Sequence, residues 1–125
     1  MKGMKHMEFK SADAYFSQSL GVLKCTIRGE IDHHSAKSIR EEIDKRLRDE
    51  SPSELVIDMG GVTFMDSSGL GLVLGRYQKA REYGIGFSVP RTAPAVKRMF
   101  DMAGLERIIK YGEENSNTEK TERRG

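Results

Sequence analysis

Val62-Thr63-Phe64-Met65-Asp66-Ser67-Ser68-Gly69-Leu70-Gly71-Leu72-Val73-Leu74-Gly75-Arg76-Tyr77 begins as the tail of an apolar strand and ends as an amphipathic helix. The change of character falls at Asp66-Ser67-Ser68. Beyond it Leu70, Val73, Leu74, Tyr77 and Ala80 follow the i, i+3, i+4, i+7 spacing of one buried helical face. Asp66, Ser67 and Ser68 stand where a helix start needs side-chain oxygens for its unpaired N–H groups. Such a strand-to-helix hinge displays two hydroxyls at a positive helix end, a natural position for a phosphate.

Upstream, Ala14 to Ser19 alternates weakly and Val22 to Arg28 strongly, with Leu23, Cys25 and Ile27 on one face. Leu20-Gly21 between them predicts a tight turn and an antiparallel hairpin. Gly29 to Ser35 is expected to leave that strand and enter a helix with Ala36, Ile39, Ile43 and Leu47 inside. Ser51-Pro52-Ser53 stops it. Leu55-Val56-Ile57 reads as a central strand, after which Gly60-Gly61 is expected to loosen the chain. The hinge helix should stop at Gly84. A strand over 85–89 follows, then a helix that Pro94 opens, with Val96, Met99, Phe100 and Ala103 inward and Gly104 at its end. Leu105 to Tyr111 gives a last apolar segment.

Helices alternating with strands after a hairpin predict an α/β fold with a mixed sheet: antiparallel at the start, parallel through the helical crossovers. Residues 1–13 show no clear period and read as a mobile lead-in, 14–111 as one domain. The stretch 112–125 has no apolar residue and reads as a disordered tail.

Composition excludes several classes. The 21 Lys+Arg against 19 Asp+Glu are too balanced and too scattered for a nucleic-acid or anionic-membrane partner. No apolar run approaches membrane-spanning length, and no apolar signal core is visible. A single cysteine, Cys25, on the apolar face of its strand, fits a core position and a reducing cytoplasm.

The hinge also fails the enzymatic patterns. A nucleophile elbow needs glycine two residues before and two after the serine, where Ser67 has Met65 and Ser68 has Asp66 before it. Gly69 has no second glycine followed by Lys-Ser/Thr at phosphate-loop spacing, and Gly75 comes one residue late for a dinucleotide fingerprint. His33-His34 beside Asp32 has no further ligand at metal spacing. Lys97-Arg98 reads as a solvated face. No cofactor is therefore expected. Asp32 at its helix entrance reads as either a cap or a contact residue. Helical projection sets Ser68, Leu72, Gly75 and Lys79 on the side away from the core. Leu72 is thus expected as an exposed leucine framed by glycines beside two serines, with Gly69 and Gly71 leaving the helix entrance bare for another protein's backbone.

Gly29-Glu30-Ile31-Asp32-His33-His34, Phe64-Met65-Asp66-Ser67-Ser68-Gly69-Leu70-Gly71, Leu74-Gly75-Arg76-Tyr77 and the run from Pro94 to Leu105 closely resemble the anti-sigma-factor antagonists of the STAS-domain family, most of all the sporulation type. The resemblance spans Ala14 to Ile109. It implies that an unmodified antagonist binds an anti-sigma factor that is also a serine kinase, freeing the sigma factor. It maps the phosphorylated serine onto Ser67, with a metal-dependent serine phosphatase restoring it, and implies a non-enzymatic, monomeric switch. Asp32, Asp66, Ser68, Gly69, Leu72 and Gly75 are then the expected contact or positioning residues. One departure is Ala103, where the sporulation type commonly has serine. Two other readings stand beside this one: a scaffold or antagonist subunit of a general-stress partner-switching complex, and a small nucleotide-binding protein using the Gly69–Gly75 loop.

Overall fold

In the computed structural model, which describes residues 4–107, the elements run β1 (Lys5–Glu8), β2 (Ala12–Ser19), β3 (Val22–Ile31), α1 (His33–Glu50), β4 (Glu54–Met65), α2 (Ser67–Tyr83), β5 (Gly86–Ser88) and α3 (Pro94–Met102), with a short 3-10 turn at Leu105–Arg107. The strands lie side by side in chain order. β1–β2 and β2–β3 are antiparallel, whereas β3–β4 and β4–β5 are parallel. This is the expected mixed α/β sheet. Parallel neighbours need a crossover, and α1 and α2 supply it.

The hairpin turns as predicted at Leu20-Gly21, whose φ values of 52° and 80° give the doubly left-handed turn that suits strand twist. Leu23, Cys25 and Ile27 of β3, with Ala14 and Phe16 of β2, are buried under the helices. Their neighbours Tyr15, Lys24, Thr26 and Arg28 stay open or half-open, so the helices cover one face of the sheet. Ile39, Ile43 and Leu47 of α1 and Val73 and Ala80 of α2 complete the core, with Val96 and Phe100 of α3.

Several elements depart from the sequence reading. Lys5–Glu8, placed in the lead-in, is an edge strand. Met7 packs half-buried against the core, and cross-strand chemistry adds to it: His6 stacks on Tyr15 with centroids 4.4 Å apart and hydrogen-bonds Asp13 at 2.8 Å. Lys5 also reaches Glu42 of α1 at 3.1 Å. β3 runs on through Gly29-Glu30-Ile31. β4 does not loosen at Gly60-Gly61 but continues to Met65, and the register with β3 slips there in a bulge. Gly61 is needed for that close approach, since a Cβ on it would sit 2.9 Å from Arg28 Cγ. Ala103 is exposed rather than inward. Gly84 (φ 70°) and Gly104 (φ 77°) close α2 and α3 as expected. The expectations for 108–111 and for the 112–125 tail fall outside the described residues.

Candidate functional site

Ile31 and Met65 are the last paired residues of β3 and β4. The residue after each is an aspartate, and each aspartate caps a helix. Asp32 accepts the Ser35 N–H at 2.8 Å, while Ser35 Oγ accepts the Asp32 N–H at 3.0 Å, a reciprocal capping box. Asp66 accepts the Ser68 N–H at 2.8 Å and donates its own N–H to the Ile31 carbonyl at 3.3 Å. Parallel pairing thus sets the starts of α1 and α2 side by side at the carboxyl ends of adjacent strands. The Ser35 N–H holds the Asp32 carboxyl below its ordinary range.

Ser67 is the first residue of α2 and is exposed. Because Asp66 performs the capping, the Ser67 hydroxyl is spared that task, and among the described residues it has no hydrogen-bond partner. Ser68, half-buried, turns towards α1. It lines a cleft of about 500 Å³ with His33, Ala36, Lys37, Arg40, Gly71 and Leu72.

Leu72 is not the exposed leucine expected from helical projection. It is 3% exposed and forms the floor of this cleft. A single-face projection assumes that α2 packs only on the sheet, whereas α1 covers a second side of it. The buried arc accordingly runs over Gly69, Leu72, Val73, Arg76 and Ala80, and Leu70, Leu74 and Tyr77 are only half-buried. Gly69 is likewise not a bare entrance. It is buried against Met65, and a Cβ there would lie 2.5 Å from Met65 Sδ. Gly71 and Gly75 match the expected openness, with nothing within 4 Å of where a Cβ on either would stand. His33 lines the cleft, while His34 sits edge-on to Phe9. No cluster of three metal-ligating side chains occurs among the described residues.

Two features escaped the sequence reading. Arg76 is 6% exposed and faces Asp44 of α1 at 3.2 Å; burial works against its charge and Asp44 supports it. Lys37 and Arg40 come to the same cleft as Ser68 through helix–helix packing. Nothing in the one-dimensional pattern of α1 distinguished them from its other surface cations.

Fold and site together define a small mixed-sheet domain that presents a capped helix start with a free serine hydroxyl beside an interhelical cleft. A sequence profile of the STAS domain matches residues 14–123, and the chain belongs to that family. It is 37% identical over 89 residues to the anti-sigma F factor antagonist of Paenibacillus polymyxa, covering 71% of this chain and 76% of the relative. It is 32% identical over 92 residues to the anti-sigma-B factor antagonist of Bacillus subtilis (strain 168), covering 74% and 83%. Its structure resembles that of the anti-sigma factor antagonist SpoIIAA in its unphosphorylated form, with a TM-score of 0.72 and 25% identity over 81% of this chain and 89% of that one. These relatives are named as regulators. Among the described residues no helix is long and apolar enough to cross a membrane.

Proposed function

We propose that this protein is an anti-sigma-factor antagonist switched by phosphorylation of Ser67. In this reading the unmodified chain binds an anti-sigma factor that is also a serine kinase, and the sigma factor is released in the cytoplasm. The kinase then phosphorylates Ser67, the antagonist lets go, and a metal-dependent serine phosphatase resets it. The chain is a substrate and a switch, not a catalyst. The observation that carries the proposal is the position of Ser67: first in α2, exposed, and relieved of capping by Asp66.

The physical contrast needed for a switch follows from that position. A phosphate adds about −1.5 to −2 charges. Its own protein tolerates the charge, because the positive end of the α2 dipole favours an anion at an exposed first residue. A partner packed on the same helix start must desolvate or repel it. The change acts at the interface and leaves the fold in place.

The test is incubation with a sigma-F-type or a sigma-B-type anti-sigma kinase and ATP, followed by intact mass and peptide mapping. One phosphate on Ser67, absent from Ser67→Ala, is the expected result, and the kinase that reacts identifies the pathway. A chain left unmodified by both active kinases would favour a scaffold role in a stress-signalling complex.

A further inference from the structure

We propose that the cleft between α1 and α2 is a second contact point for the partner protein, built to take one of its acidic side chains. The inference rests on the partner-switch reading of Ser67.

The pairing of charges within α1 points to the occupant. Lys45 pairs with Asp49 at 3.3 Å, Arg46 with Glu42 at 2.8 Å, and Arg48 donates to the Asp44 carbonyl at 3.4 Å. Lys37 and Arg40 are the two remaining cations of the helix, both exposed, and neither has an ion pair or hydrogen bond among the described residues. Asp44, one turn beyond Arg40 and so its natural i+4 partner, is taken by buried Arg76 at 3.2 Å. Arg40 and Arg76 oppose each other, since Arg40 lowers the pKa of Arg76. Glu41, one turn beyond Lys37, makes no ion pair with it. The cleft therefore carries positive charge that its own helices leave uncompensated.

Its shape fits a carboxylate on an aliphatic stem. Ala36, Gly71 and Leu72 supply an apolar floor, and Lys37 and Arg40 stand over it with His33 at the α1 start. Gly71 has no side chain to fill the entrance, and nothing approaches within 4 Å of where its Cβ would be. The cleft is continuous with the switch through Ser68, the neighbour of Ser67. A phosphate on Ser67 would thus enter the field of the same two cations and repel the carboxylate they attract. The cleft supplies attraction in the unmodified state and turns part of it against the partner in the modified one.

The test is titration calorimetry of the unphosphorylated full chain with its anti-sigma kinase between about 50 and about 300 mM salt, where screening separates charge pairs from apolar contact. Lys37→Glu/Arg40→Glu and the milder Lys37→Gln/Arg40→Gln are compared with wild type after circular dichroism confirms an unchanged fold. About tenfold weaker binding in the Glu pair, a smaller loss in the Gln pair, and a flatter salt dependence in both are expected. Wild-type binding with both variants within about twofold at every salt concentration would overturn the inference and leave the Ser67 switch standing. A wild-type chain that binds neither type of anti-sigma kinase removes both. Inorganic phosphate is the control ligand: stabilisation by phosphate that the variants abolish, with kinase binding unchanged, would assign the cations to a small anion and overturn partner docking.

Discussion

Arg91 donates through Nη2 to Asp58 Oδ2 at 2.7 Å and through Nε to both carboxylate oxygens at 3.2 Å, tying the middle of β4 to the segment that leads into α3. Asp58 is 3% exposed. The Gly60 N–H donates to it at 3.0 Å, and the Arg91 carbonyl accepts from the Met59 N–H at 3.0 Å. Burial raises the pKa of this carboxyl, but the Arg91 and Gly60 hydrogen bonds outweigh it and hold the value below the ordinary one. A depressed folded-state pKa means that the ionised carboxylate stabilises the fold at neutral pH, and that this contribution is lost as pH falls through the folded value. Asp58→Ala should cost about 1.5–3 kcal/mol at pH 7. The gap between wild-type and variant urea midpoints should hold above about pH 5 and close as the solution is acidified below about pH 4. A gap that widens in acid would contradict the assignment.

Ser67→Asp places one negative charge where phosphate would place nearly two. Binding to the anti-sigma kinase is expected to weaken by about tenfold or more, while Ser67→Ala stays bound and cannot be modified. Backbone amide resonances should move mainly around the start of α2. Widespread shifts in β1 or α3 would instead mean that the charge works by remodelling the fold.

Gly69 and Gly71 should respond in opposite ways to alanine. A Cβ on Gly69 meets Met65 Sδ at 2.5 Å and Met65 Cβ at 2.9 Å. Gly69→Ala must push the strand end and the helix apart, at about 1–3 kcal/mol. Gly71 faces open space, so Gly71→Ala should stabilise α2 by about 0.5–1 kcal/mol. Thermal melts of the two variants, read beside kinase affinity, separate the glycine that packs from the glycine that leaves room.

Asp44 and Arg76 make an asymmetric pair. Asp44→Ala strands a guanidinium that is 6% exposed, and a loss of about 2 kcal/mol or more is expected. Arg76→Met keeps the packing and leaves Asp44 without its cation, but that carboxylate is the more exposed partner, its side chain 23% open, so the cost should be smaller, about 1–2 kcal/mol. Equal losses in chemical denaturation would show that packing rather than charge holds this contact.

The strands and helices that bury one regular face were readable from spacing: Leu23, Cys25 and Ile27 alternate, and Ala36, Ile39, Ile43 and Leu47 recur at helical intervals. The helix stops were readable because glycine and proline act locally, at Pro52, Gly84 and Gly104. Periodicity could not show β1, a four-residue strand with one half-buried apolar side chain, whose side-chain contacts, His6 on Tyr15 and Lys5 on Glu42, have partners 9 and 37 residues away in the chain. It misplaced Leu72 because burial on two sides of a helix erases the single stripe that projection looks for. The position of Ser67 was legible because a cap, a hydroxyl and a strand end fall within three consecutive residues. The cleft beside it was not, since it exists only where two helices meet.

The pairing of β1 with β2 also bears on how this chain behaves at high concentration. β1 covers Asp13 to Phe16 of a strand whose N–H and C=O groups would otherwise form an open template for a second molecule. The new outer edge is only four residues long and carries Lys5, His6 and Glu8, while the opposite edge, β5, has three residues. Short borders on both sides, with charges along the β1 one, discourage sheet-to-sheet self-assembly. Stripping away the residues before Phe9 would expose the longer edge and invite aggregation, even though Ser67 and its helix start would be untouched.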